Sequence, residues 1–167
     1  QGLDVLRIGL VSTDMLYFAA GKLNLPGAMF TASHNPAEYN GIKLCLSGAR
    51  PIGKESGLLV IEKFVREGVP VSARALGKES RKEMLNEYVD HLLHHVDLSE
   101  IRKLKIVVDA GNGMAGFTAP AVFKRINVEV TEMYYELDGT FPNHEANPID
   151  EANLKDLKKM VKKQGAD

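Results

Sequence analysis

With 167 residues, 44% of them hydrophobic and 26% charged, the chain falls in the ordinary globular range and can bury a core, as one domain or as two small ones. Twenty-one basic side chains against twenty-two acidic ones leave a net charge of -1, which supplies no broad field for nucleic acid or an anionic membrane surface. The longest stretch free of charge and histidine, Leu23 to Ser33, falls well short of the roughly 18 apolar residues of a membrane span, so no nucleic acid and no membrane are expected as partners.

The lone Cys45 cannot close an internal disulfide, and no charged-then-apolar leader opens the chain, so a cytoplasmic location is expected and Cys45 reads as packing. Gln1 runs almost at once into a strand-like segment, and the far end stops directly after a periodic helix. Both ends therefore read as cuts.

In chain order, Arg7 to Val11 reads as a strand, and a helix follows from about Asp14 to Leu23 with Ser12 or Thr13 as its N-cap. Gly27 to Thr31 is a second strand. Polar residues 32–40 form a loop closing on Asn40-Gly41, and Ile42, Leu44 and Leu46 alternate with Lys43, Cys45 and Ser47 as a third strand. Leu58, Leu59, Ile61, Phe64 and Val65 suggest a helix, and residues 66–79 an irregular connection. From Ser80, the apolar positions Met84, Leu85, Tyr88, Val89, Leu92, Leu93 and Val96 predict one long amphipathic helix bridging two units. Strand, turn, helix, strand and loop then alternate from Ile106 to Tyr135, and a last helix carries Leu154, Leu157, Met160 and Val161. This alternation predicts an α/β fold with a parallel sheet covered on both faces.

The loop Thr31-Ala32-Ser33-His34-Asn35-Pro36 lies just past a buried strand, where open α/β sheets present functional groups. One reading makes Ser33 an acyl-transfer nucleophile activated by His34. Against it, adjacent side chains of an extended loop point apart, and the Gly-x-Ser-x-Gly elbow is absent. A second reading makes Ser33 a phosphoryl carrier. A phosphoserine brings about -1.5 to -2 charges and needs N–H donors, a cation and a metal around it. Lys43, just past the Asn40-Gly41 turn, could return toward the loop as that cation. The plain alternative has Ser33 and Asn35 capping turns beside Pro36, with Lys43 on a solvated strand.

The run Thr31-Ala32-Ser33-His34-Asn35-Pro36, followed by Tyr39-Asn40-Gly41-Ile42-Lys43, resembles the active-site signature of the α-D-phosphohexomutases. Ala37-Glu38-Tyr39-Asn40-Gly41 makes it most similar to the bacterial phosphomannomutase/phosphoglucomutase branch. Residues 107–116 and 138–144 resemble the second domain of those enzymes. The resemblance covers essentially the whole chain. It implies three-layer αβα units with mixed, mostly parallel sheets, forming two partial domains of a four-domain enzyme. Residues 1–98 would be the later part of domain 1 and residues 99–167 the earlier part of domain 2.

Function follows from the same resemblance: phosphoryl transfer between C1 and C6 of mannose and glucose phosphates through a bisphosphorylated sugar. Ser33 is the implied phosphoryl carrier and, through its phosphate, a Mg²⁺ ligand. Lys43 and His34 match positions that contact phosphate or assist proton transfer, and Asn35 shapes the loop. A glucose 1,6-bisphosphate-type activator, a hexose phosphate substrate and the remaining domains of the same protein are the implied partners. The family's Asp-Gly-Asp-x-Asp-Arg metal loop does not occur in the sequence, so the isolated chain is expected to be inactive. Val11-Ser12-Thr13-Asp14 departs from the Thr-Pro turn usual in relatives.

Three other signals compete. Gly111-x-Gly113-x-x-Gly116 follows a strand and opens a helix, formally a dinucleotide fingerprint with Glu132 or Glu136 as the ribose acid, although Asp109 would sit beside the pyrophosphate. A tight turn with close helix packing explains the same glycines. Glu87, His91 and His95 recur at i, i+4 and i+8, a metal-ligand spacing that a solvated helix face also explains. Lys155, Lys158, Lys159, Lys162 and Lys163 make a basic surface on the last helix, offset at its start by Asp150, Glu151 and Asp156.

Overall fold

A computed structural model describes residues 2–69 and 75–167. The first strand, β1, is Val5–Arg7, earlier than Arg7 to Val11. Gly9 stands at φ +76°, a left-handed backbone that ends the extended run. β1 pairs in parallel with a strand far along the chain, β5 (Glu79–Arg81), with Leu6 opposite Ser80. The Lys78 N–H donates to Asp4 Oδ1 at 2.7 Å and the Lys82 N–H to the Arg7 carbonyl at 3.0 Å, one bond at each end of the pairing.

Helix α1 (Thr13–Leu23) starts at Ser12, whose Oγ accepts the Met15 N–H at 3.3 Å, and ends at Asn24 in the left-handed conformation. Its buried stripe is Met15, Leu16, Ala19 and Ala20. β2 (Gly27–Phe30), β3 (Ile42–Leu46) and β4 (Arg50–Pro51) lie in that order in one sheet, β3 and β4 antiparallel. Leu16, Ala20 and Cys45 form a core cluster against which Ile8, Tyr17 and Met29 pack, so Cys45 is a packing residue. β4 carries no sequence signal because two residues are too few for a period. Helix α2 (Leu59–Glu67) forms as expected, yet Leu59, Val60, Phe64 and Val65 remain exposed.

Within the expected irregular connection, residues 70–74 lie outside the described residues. The long helix predicted from Ser80 is a correction. Ser80 and Arg81 belong to β5, and α3 runs only from Leu85 to His94. Pairing with β1 captures the start of the periodic stretch, because sheet hydrogen bonds to a partner more than 70 residues away outweigh local helical preference.

β6 (Leu104–Asp109) and β7 (Val128–Met133) pair in parallel, from Leu104 opposite Val128 to Asp109 opposite Met133. A parallel pair needs a crossover, and α4 (Ala115–Phe123) provides it. α4 stops short of Arg125, its last turn tightened by the Arg125 N–H bond to the Val122 carbonyl. Arg125 pairs with Asp90 on α3, which packs against α4. α5 (Lys155–Gln164) packs on β6, and Asp167 accepts the Lys105 N–H at 2.8 Å while pairing with Arg102 at 2.7 Å. Two parallel sheets and one antiparallel strand pair make the chain α/β with mixed, mainly parallel sheets. It divides into two compact units, Gln1–Met29 with Lys43–Met84, and Phe30–Ile42 with Leu85–Asp167.

Candidate active site

The loop between β2 and β3 is closed by the Thr31 N–H, which donates to the Gly41 carbonyl at 3.0 Å. A Cβ on Gly41 would stand 2.7 Å from the Thr31 carbonyl oxygen, so that approach requires glycine. Beyond Thr31 the backbone turns sharply. Ser33 adopts φ +55°, a left-handed conformation that costs a non-glycine residue about 1–2 kcal/mol and must be held by its surroundings. Its N–H donates to Thr31 Oγ1 at 3.1 Å. Asn35 clamps the other side, with Nδ2 and the backbone N–H both donating to the Ala32 carbonyl, at 2.9 and 3.2 Å.

This geometry corrects one expectation. Ser33 and His34 do not point apart: Ser33 Oγ lies 3.1 Å from His34 Nδ1, because the left-handed residue folds the two side chains together where an extended loop would separate them. Both are exposed. In the tautomer carrying its proton on Nε2, His34 accepts from the Ser33 hydroxyl. Lys43 is exposed on β3, two residues beyond Gly41.

A second polar cluster lies at the C-terminal end of β6. The Asp109 carboxylate, with its side chain 7% exposed, accepts the Gly111 N–H at 2.9 Å and faces His144 Nε2 at 3.1 and 3.2 Å. His144 Nδ1 lies 2.9 Å from the Glu145 carbonyl. Burial disfavours charge on the ring, but the Glu145 carbonyl and the Asp109 carboxylate outweigh it, with Asp156 adding, and hold the His144 pKa above its ordinary value. Asn112, buried and left-handed, donates Nδ2 to the Glu136 carbonyl and accepts from Asn143 Nδ2. The Thr140 backbone N–H, then its hydroxyl, bond the Asp138 carboxylate and hold its pKa low. Residues 138–144 carry a resemblance in the sequence but no assigned role. Here the segment is tied to the turn after β6.

Family models for the phosphoglucomutase/phosphomannomutase α/β/α domain I and domain II match residues 1–68 and 86–167. The chain belongs to the phosphoglucomutase/phosphomannomutase family. It is 40% identical to a phosphoglucomutase of Neisseria meningitidis, over 100% of its own length and 36% of the relative's. It is 38% identical to a phosphomannomutase of Salmonella montevideo, over 99% of this chain and 38% of the other. An X-ray structure of a phosphoglucomutase/phosphomannomutase family protein from Burkholderia thailandensis matches with a TM-score of 0.81 at 32% identity, over 99% of this chain and 37% of that one. The chain thus spans little more than a third of the length of these relatives.

Family membership agrees with how the competing signals resolve. The N–H groups of the Gly111–Gly116 turn, which a dinucleotide would need for its pyrophosphate, are spent internally: Gly111 on Asp109, Asn112 on the Tyr134 carbonyl, Gly113 on the Ala110 carbonyl. A Cβ on Gly116 would stand 2.1 Å from the Tyr135 carbonyl oxygen, so its glycine serves close packing. His91 and His95 meet edge to face at 4.6 Å, and among the described residues no three His, Cys, Asp or Glu side chains converge on a metal position. Lys158 pairs with Glu151 at 2.7 Å on the basic helix. No helix of the described residues is long and apolar enough to cross a membrane.

Proposed function

We propose that this chain supplies the phosphoserine loop of a cytoplasmic phosphohexomutase, with Ser33 passing phosphate between the C1 and C6 oxygens of mannose and glucose phosphates. Residues 1–98 then belong to domain 1 and residues 99–167 to domain 2 of a four-domain enzyme. The observation that carries the reading is the exposed Ser33 hydroxyl at a strand tip, held left-handed with an imidazole nitrogen 3.1 Å away.

Loading the serine forms one Oγ–P bond and breaks one sugar O–P bond of a hexose bisphosphate. In this reading His34 Nδ1, 3.1 Å from Ser33 Oγ, takes the Ser33 proton as that bond forms, and the released sugar oxygen gains a proton. In the cycle the phosphate on Ser33 first passes to the free sugar oxygen of a hexose monophosphate, giving the bisphosphate and the free serine. Reloading Ser33 from the other sugar oxygen then releases the isomer and restores the carrier. Lys43 is assigned to the phosphate and Asn35 to loop shape by their match to the family signature. A Mg²⁺ would take one ligand from the phosphate on Ser33. Its carboxylates are assigned to a part of the enzyme outside this chain, because the family's metal loop does not occur in the sequence.

The test is to incubate the complete enzyme with glucose 1,6-bisphosphate and map phosphate by mass spectrometry. One phosphate on Ser33, lost in Ser33→Ala together with mutase turnover, is the expected result. An unmodified Ser33 in an active enzyme would overturn the reading.

A further inference from the structure

The carrier serine is strained, and the strain is held by a residue that no reading above uses. Thr31 is fixed twice by its backbone: its N–H donates to the Gly41 carbonyl at 3.0 Å, and its own carbonyl packs against the Cα of Gly41, where any Cβ would fall 2.7 Å away. A β-branched side chain on so fixed a backbone has few χ1 choices. Its hydroxyl oxygen therefore has a defined position, and it accepts the Ser33 N–H at 3.1 Å. That bond sets the orientation of the peptide plane entering Ser33, on the N-terminal side of the φ +55° rotation, while Asn35 holds the carbonyl of Ala32 from the other direction.

We propose that Thr31 is the positioning residue of the phosphoryl carrier: its Oγ1 holds Ser33 left-handed and so keeps Oγ within reach of His34 Nδ1. This inference rests on the phosphoserine reading. Thr31 touches no reacting atom. Its hydroxyl acts through the Ser33 backbone, so its loss affects the step at Oγ and leaves binding of the sugar unchanged.

The experiment compares Thr31→Val, which keeps shape and removes the hydroxyl, with Thr31→Ser, which keeps the hydroxyl, both in the complete enzyme. Thr31→Val is expected to lower kcat and the rate of Ser33 phosphorylation by glucose 1,6-bisphosphate by roughly ten- to a hundredfold, the usual penalty for a reacting group misplaced by about 1 Å. KM for the hexose phosphate stays near wild type, the Ser33 amide exchanges faster with solvent, and the melting temperature of the enzyme hardly moves. Thr31→Ser restores kcat and amide protection. A Thr31→Val enzyme with normal kcat, or a Thr31→Ser enzyme as impaired as Thr31→Val, overturns the inference. Failure of the underlying reading looks different, because wild-type Ser33 would then carry no phosphate at all.

Discussion

Replacing Gly116 by alanine sets two effects of opposite sign against each other. Gly116 is the second residue of α4, where alanine improves helix propensity by at most about 1 kcal/mol. Against that gain, the new Cβ would lie 2.1 Å from the carbonyl oxygen of Tyr135, 2.8 Å from its carbonyl carbon and 2.9 Å from its Cα. All three are backbone atoms, so no rotamer change relieves the contact, and α4 must lift from the chain leaving β7. Overpacking of this kind costs about 3 kcal/mol or more, so the clash wins by about 2 kcal/mol. For a cooperative unit of about 100 residues that loss lowers the melting temperature by on the order of 10 °C. Thermal unfolding followed by near-ultraviolet circular dichroism reads it directly. Gly113→Ala is the internal control: its Cβ meets only the Ala110 carbonyl, at 3.3 Å, and should cost about 1 kcal/mol or less. A neutral or stabilising Gly116→Ala would refute the close-packing account of this turn and reopen the glycines to a ligand.

Asn112→Ala should destabilise by about 2–3 kcal/mol, because it strands the Glu136 carbonyl and the Asn143 amide; urea unfolding at fixed pH measures it. The folded pKa of His144 lies above the unfolded value, so the stabilisation it gives is complete below about pH 6.5 and disappears as pH rises through the raised folded value. Stability measured from pH 5.5 to 9 should fall along that limb, and His144→Gln should flatten it; an unchanged slope would sink the assignment. Lys43→Met, on an exposed strand position, should leave stability within about 0.5 kcal/mol while sharply reducing mutase turnover of the complete enzyme.

What could be read in advance depended on sequence distance. α1 with its Ser12 cap, β2, β3, β6 and β7 follow from local pattern, and the signature from Thr31 to Lys43 is contiguous. The start of α3 was hidden because Ser80 and Arg81 answer to β1, more than 70 residues earlier. The Asp109–His144 pair joins residues 35 apart in sequence across a loop, and no period announces such a meeting. Two local readings differ from the structure for the same reason, a left-handed residue inside a stretch that reads as extended: Gly9, which ends the first strand early, and Ser33, which brings its side chain to His34. The run Asp138-Gly139-Thr140 did advertise a side-chain-capped turn, a usable clue to the second cluster.

The bonds that shape the loop between β2 and β3, from Thr31 to Gly41, Ser33 to Thr31, Asn35 to Ala32 and Tyr39 to Pro36, all begin and end within residues 31–41. The hydrogen bonds that give the loop its form are therefore written into one short string of letters. Inheritance can copy such a string intact while the sequence around it drifts, and the left-handed serine is copied with it.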